Sequence, residues 1–121
     1  MSKYHYISAD KLDVIAIYKI FSDNKKLKLS KEAIQNINKC KAYLDEKLED
    51  AEKPFYGINT GFGSLCNVKI SSENLSKLQE NLVTSHACGT GEYVPKAIVK
   101  LMLLLKIQSL SYGYSGVQLV T

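Results

Sequence analysis

The run Tyr56-Gly57-Ile58-Asn59-Thr60-Gly61-Phe62-Gly63 sets a phenol, a carboxamide and a hydroxyl among three glycines. Glycines at that density let a backbone fold tightly or move as a lid, and a tyrosine carried there can give or take a proton. Thirty positions further on, His86 stands in Asn81-Leu82-Val83-Thr84-Ser85-His86-Ala87-Cys88-Gly89-Thr90-Gly91, just before a second Gly-x-Gly. Phosphate binding is the first alternative to weigh. A P-loop needs Lys-Ser/Thr after its last glycine, but Gly63 is followed by Ser64-Leu65. The dinucleotide fingerprint needs a small residue where Cys66 stands, and no strand of convincing length precedes the loop. Metal chemistry fares no better. Cys40, Cys66 and Cys88 form no C-x-x-C pair, and with His5 and His86 they assemble no ligand set at usual spacing, so no metal is expected. Two readings remain. In one, the loop is a glycine-rich turn anchored by Tyr56 and His86 is a structural hydrogen-bonder. In the other, the two groups converge on one small-molecule pocket.

The elements that must position them are mainly helical. Ser8 can cap a helix over about 9–22, with Leu12, Ala16 and Ile20 on one face and Val14, Ile17 and Phe21 on a second. Asp23 and Asn24 read as a turn, and Lys26-Leu27-Lys28-Leu29 alternates as a short strand or an extended entry segment would. Ser30 is the next N-cap, opening an amphipathic helix over 31–50 with Ala33, Ile37, Cys40, Leu44 and Leu48 as its stripe. Pro54 ends that pattern, and residues 54–70 form a loop. Ser71 and Ser72 offer caps for a helix over 72–88 with Leu75, Leu78 and Leu82 in line, closed by Gly89 and Gly91. Pro95 suits the first helical position of a helix over 95–112, with Gly113 as its stop. This last helix is apolar almost all round, the mark of one buried in a large protein or at a subunit interface. With the apolar tail Val117-Gln118-Leu119-Val120-Thr121, it reads as part of a longer protein.

Composition narrows the classes. A chain of 121 residues with 45% apolar and 23% charged side chains has the balance of a globular protein and fits one ordinary domain. Its net charge of +4 comes from lysines spread along the chain, among them Lys11, Lys25, Lys26, Lys39, Lys53, Lys77 and Lys100. A nucleic-acid binder clusters its basic residues with aromatic partners. Three unpaired thiols suit a reducing compartment. Residues 1–10 lack the apolar core of a secretory signal, and the longest apolar run, 101–105, is far too short to cross a bilayer. A cytoplasmic protein is therefore expected, with neither nucleic acid nor membrane as partner. No internal repeat or low-complexity segment is present.

The glycine run resembles the Tyr-Gly-x-x-Thr-Gly-Phe-Gly signature of the aromatic amino acid ammonia-lyases and aminomutases. The spacing to Gln79-x-Asn81-Leu82-x-x-Ser85-His86 agrees, as does the closing Gly113-Tyr114-Ser115-Gly116-Val117. The similarity runs diffusely from about Ser8 to the end, and these blocks carry its specificity. The resemblance implies the N-terminal helical segment of the all-α, fumarase/aspartase-like ammonia-lyase fold, from an enzyme that is normally a homotetramer with active sites shared between subunits. The family's electrophile is 4-methylidene-imidazol-5-one, made autocatalytically from an internal Ala-Ser-Gly tripeptide. No Ala-Ser-Gly occurs in these residues, so the 121-residue chain alone is expected to be inactive.

The resemblance also carries over roles. Tyr56 matches the loop tyrosine proposed to take the β-proton or otherwise to assist elimination. A phenol ordinarily titrates near about 10, so a tyrosine base needs positive potential such as helix N-termini around it. His86 matches the histidine near the electrophile and the substrate side chain. Gly57, Gly61 and Gly63 would serve loop closure, while Asn59, Thr60 and Phe62 would set its shape. The Ser85-His86 pair looks like the histidine-type choice, because phenylalanine-type members place an aromatic then leucine there and several tyrosine-type members place histidine then leucine. The implied reaction is conversion of L-histidine to urocanate and ammonia, the first step of histidine breakdown. A tyrosine ammonia-lyase or aminomutase on the same scaffold is the alternative among enzymes. A non-catalytic binding or assembly module derived from the family is the alternative outside them.

Overall fold

A computed structural model describes residues 2–49 and 54–121. The expected end of the second helix at Asp50, and Lys53, lie outside the described residues. The chain divides into two compact units, one formed by Met1–Leu48 together with Val94–Thr121 and the other by Glu49–Tyr93.

The first unit contains a strand that the sequence did not announce. β1 (Tyr4–Ile7) pairs in parallel with β2 (Lys26–Leu29), in the register Tyr4 to Lys26 and Ile7 to Leu29. Parallel partners need a crossover rather than a hairpin, and α1 (Val14–Ser22) supplies it. The alternating 26–29 segment is therefore a strand. The fold is mainly α, as expected, with a two-stranded parallel sheet among the described residues.

α1 starts later than Ser8. Its N-cap is Asp13, whose carboxylate accepts from the Ala16 N–H at 2.6 Å. Ser8 instead donates to the Asp10 carboxylate at 2.9 Å. The reason lies a hundred residues away. The Gln108 side-chain amide donates to the carbonyls of Ser8 at 2.9 Å and Asp10 at 3.3 Å, which holds this segment out of helical geometry. Of the two expected faces of α1, the Leu12, Ala16 and Ile20 face turns inward; on the second, Ile17 is half-buried against the core while Val14 and Phe21 are exposed.

Ser30 caps α2 (Lys31–Glu49), accepting from the Ala33 N–H at 3.1 Å. Along α2, Ala33 and Ile37 are buried and Cys40, Leu44 and Leu48 half-buried, the stripe expected from helical spacing. On its outer side Lys41 and Asp45 pair. α4 (Lys96–Ser111) begins one residue after Pro95, which occupies the N-cap with its carbonyl accepting from Ile98 and Val99. Gly113 ends it at φ +77°. A Cβ there would meet the Asn36 backbone at 2.7 Å, so the turn after α4 lies directly on α2. Gly116 makes a similar approach to the Leu44 side chain.

The core of this unit is Ile7, Ile20 and Leu104, with Leu12, Ile17 and Leu29 packed around it. Only the Leu104, Gln108 and Ser111 line of α4 is buried. Ile98, Val99, Met102, Leu103, Leu105 and Ile107 are exposed, so within this chain the helix is covered on one side rather than on most. One short sheet and one crossover helix bring too little apolar surface to enclose it. No described helix is long and apolar enough to cross a membrane.

The second unit has less regular structure. It holds 3₁₀ turns at Gly63–Leu65 and Ser72–Asn74, and α3 (Leu75–His86). Ser71 does not cap α3. Its hydroxyl pairs with the Asn74 amide at 3.0 Å, and Asn74 takes the cap position. Leu75, Leu78 and Leu82 form the half-buried line of α3.

Candidate active site

The glycine-rich segment is internally bonded rather than open. Asn59 and Thr60 are both buried. The Asn59 side-chain oxygen accepts from the Phe55 N–H at 2.6 Å, and its main-chain carbonyl accepts from the Ile70 N–H at 2.8 Å. Thr60 Oγ1 accepts from the Gly57 N–H at 3.3 Å and donates to the Gly61 carbonyl at 3.0 Å. Gly61 N–H donates to Val68, and Thr60 faces Lys69 across an antiparallel bridge. Two short polar side chains thus take up backbone groups that a buried turn would otherwise leave unpaired. These bonds tie the loop back onto itself.

The three glycines serve different ends. Gly57 and Gly63 sit at φ +75° and +56°, in the left-handed region that L side chains rarely adopt. Gly61 is required by space, because a Cβ there would lie 2.6 Å from Leu65 Cβ and 2.9 Å from the Leu65 carbonyl oxygen. That approach lets the chain turn back on itself between Asn59 and Ile70.

Above this knot, Tyr56 is 64% exposed. Its ring meets Phe62 edge to face, with centroids 5.9 Å apart and planes at 68°, the preferred arrangement of two aromatic quadrupoles. The contact involves Phe62 in orienting Tyr56. Spacing alone gave no sign of it, because residues six apart in a loop follow no periodicity. Leu65, against which Gly61 packs, was also missed.

His86 is the last residue of α3 and is exposed. Its Nδ1 lies 2.8 Å from the Leu82 carbonyl oxygen one turn back and 3.0 Å from Ser85 Oγ. Ser85 itself donates to the Leu82 carbonyl at 3.1 Å, and Thr84 donates to the carbonyls of Glu80 and Asn81. The last turn of the helix is therefore bound back onto its own carbonyls, and the imidazole is fixed by one nitrogen only. Tyr56 and His86 belong to the same unit, but the contacts described for each stay within its own segment: Tyr56 with Phe62, His86 with Ser85 and Leu82.

Cavities of about 410 and 350 Å³ lie in the other unit. The larger is lined by α2 and by Tyr112, Gly113 and Tyr114, and the smaller by α1, β2 and α4. Neither includes any of the predicted site residues.

Comparison with known proteins bears directly on these segments. Residues 12–121 match the family model described as aromatic amino acid lyase. The histidine ammonia-lyase of Legionella pneumophila strain Lens is 44% identical over 119 residues, covering 98% of this chain and 23% of that protein. The histidine ammonia-lyase of Shewanella oneidensis is 52% identical over 93 residues, covering 77% of this chain and 18% of that protein. Among solved structures, the phenylalanine aminomutase of Pantoea agglomerans superimposes with a TM-score of 0.86 at 27% identity, covering 98% of this chain and 23% of that one. The chain thus spans about a quarter or less of the length of these relatives.

Proposed function

The chain belongs to the aromatic amino acid lyase family, and from that premise we propose that it is the N-terminal part of a cytoplasmic histidine ammonia-lyase. The observation that carries this reading is the 44% identity over 119 residues to a histidine ammonia-lyase, a match that covers 98% of this chain. The parent enzyme would remove the α-amino group and one β-hydrogen of L-histidine. The Cα–N and Cβ–H bonds break, a Cα=Cβ double bond forms, and urocanate and ammonia leave.

Tyr56 is the residue we assign to the β-proton. The residue is exposed on a loop whose backbone is closed by Asn59 and Thr60, and Phe62 meets its ring edge to face. His86 is assigned to the substrate side chain, where an imidazole can exchange hydrogen bonds with an imidazole and an apolar residue would favour a phenyl ring. Gly57, Gly61 and Gly63 give the loop its tight path.

The 4-methylidene-imidazol-5-one of the family would come from an Ala-Ser-Gly tripeptide. These 121 residues contain none, so they cannot form that group by themselves. The chain alone is therefore expected to be inactive, and the full-length enzyme to act as a homotetramer.

The test is to express the parent gene through and beyond Thr121 and to supply L-histidine. Urocanate formation supports the assignment. Coumarate from tyrosine with no turnover of histidine would move it to a tyrosine ammonia-lyase. A product with the amino group shifted to the β-carbon would make it an aminomutase. A parent that ends without an Ala-Ser-Gly and turns over none of these amino acids would leave a binding or assembly module. In an active parent, Tyr56→Phe should lower turnover by about 10² to 10⁴-fold, the usual worth of a general acid–base group. Normal turnover would return Tyr56 to a packing role.

A further inference from the structure

We infer that the last turn of α3 fixes the tautomer of His86, so that the neutral ring carries its proton on Nδ1 and offers Nε2 as a bare hydrogen-bond acceptor. The inference rests on the proposed function for its meaning in catalysis, but not for its chemistry. Nδ1 stands 2.8 Å from the Leu82 carbonyl oxygen, and a carbonyl oxygen has lone pairs and no proton to give. Were Nδ1 unprotonated, two acceptors would face each other at that distance.

Ser85 removes the remaining ambiguity. Its hydroxyl could in principle donate to a bare Nδ1 across 3.0 Å. With Nδ1 protonated against the Leu82 carbonyl, that hydroxyl proton has the same carbonyl as its acceptor at 3.1 Å. Ser85 Oγ therefore turns a lone pair toward Nδ1, and both neighbours of Nδ1 act as acceptors. Nε2 has no hydrogen-bond partner among the described residues. A neutral imidazole carries one ring proton, so with Nδ1–H held in this way Nε2 keeps its lone pair.

This makes His86 selective for a substrate group that brings a proton. A ring N–H of an imidazole, or a phenol O–H, can donate to Nε2, whereas a bare phenyl ring leaves that lone pair unsatisfied. Leu82, through its carbonyl, and Ser85 are on this view positioning residues. They act on the substrate only through the ring they hold. Histidine at this position thus discriminates by acceptor character, and the discrimination is built into the helix end before any ligand arrives.

Nitrogen NMR on the ¹⁵N-labelled full chain reads the tautomer directly, at a pH where the ring is neutral. His5 is the only other histidine, so a His5→Gln sample identifies the His86 signals. The expected result is Nδ1 at the protonated, pyrrole-like shift and Nε2 at the unprotonated, pyridine-like shift. The opposite pattern, or equal averaging of the two nitrogens, overturns the inference whatever the enzyme's substrate proves to be.

A second measurement uses the parent enzyme. Glutamine can present an acceptor near the place of Nε2, whereas asparagine mimics the Nδ1 side. His86→Gln should keep the preference for a proton-donating side chain over phenylalanine, and His86→Asn should lose it by roughly tenfold or more, the worth of one such hydrogen bond. Equal loss in both variants would overturn the role of Nε2. A parent that turns over tyrosine rather than histidine would refute the substrate assignment while leaving the tautomer result standing.

Discussion

Replacing Gly61 by alanine should open the 54–70 loop, and the cost follows from two distances. The new methyl would lie 2.6 Å from Leu65 Cβ and 2.9 Å from the Leu65 carbonyl oxygen, against an ordinary contact of 3.4–4 Å. Relief requires movement of backbone, because the crowded atoms are a carbonyl and the first carbon of a side chain rather than a flexible tip. Inserting a methyl into a closed site of this kind typically costs about 1–3 kcal/mol. That corresponds to roughly 5–150-fold in the equilibrium between closed and open loop. Native-state hydrogen exchange reads it through the amides of Gly61 and Ile70, which donate to Val68 and Asn59 across the neck of the loop. Both should exchange faster by that factor, while the core amides of the other unit keep their wild-type rates. Gly63→Ala provides a contrast, since nothing lies within 4 Å of its Cβ and only its φ of +56° is strained. Its cost should be about 1–2 kcal/mol. Gly89→Ala, with open space and no positive φ, should leave the loop amides unchanged. Unchanged exchange in Gly61→Ala, or the same acceleration in Gly89→Ala, would refute the claim that close approach at Gly61 holds the loop shut.

The other unit offers three further tests. Gly113→Ala combines a φ of +77° with a clash at 2.7 Å on the Asn36 backbone, and should lower the urea midpoint of the Met1–Leu48 and Val94–Thr121 unit by the equivalent of about 2–4 kcal/mol. Asp13→Ala removes the N-cap of α1 and should cost about 1 kcal/mol, read from the same titration, with Ser8→Ala costing less. His5 is held below its ordinary pKa, first by burial and then by the nearby charge of Lys25. Well above the ordinary value of 6.5 the ring is neutral in both folded and unfolded chains and contributes nothing. As pH falls below it the unfolded chain binds the proton first, so stability is lost progressively on acidification, and His5→Gln should flatten that part of the stability profile.

Legibility in the sequence followed the range of the interactions. Ala33, Ile37, Cys40, Leu44 and Leu48 recur at helical spacing and form the inward face of α2, because periodic burial is a local property. The Ser30 cap and the Gly113 stop are also local, and both are where their residue types indicate. β1 was not legible. Four residues, Tyr4-His5-Tyr6-Ile7, are too few for alternation to show, and their partner lies beyond a crossover. The start of α1 misled for a related reason. Ser8 and Asp13 are equally good cap types, and the choice between them is made by Gln108, which takes the carbonyls of Ser8 and Asp10. In the candidate site the glycines and Tyr56 stand out by composition. The edge-on contact with Phe62 and the burial of Asn59 and Thr60 depend on the folded path of the loop and could not be read from spacing. The hold of Leu82 on His86 is of the four-residue kind that helical geometry provides, so it was within reach.

The unit that contains β1, α1, β2 and α2 is interrupted in the chain by residues 49–93 and is completed only by α4, which brings Leu104 to Ile7 and Ile20. On a ribosome adding about 5–20 residues per second, the first segment emerges several seconds before the helix that covers it. During that interval Ile7 and Ile20 have no Leu104 against them and the carbonyls of Ser8 and Asp10 have no Gln108. Residues 1–48 thus wait on residues 94–121 for their final packing, and a chaperone acting on the nascent chain would find an apolar target around Ile7 and Ile20.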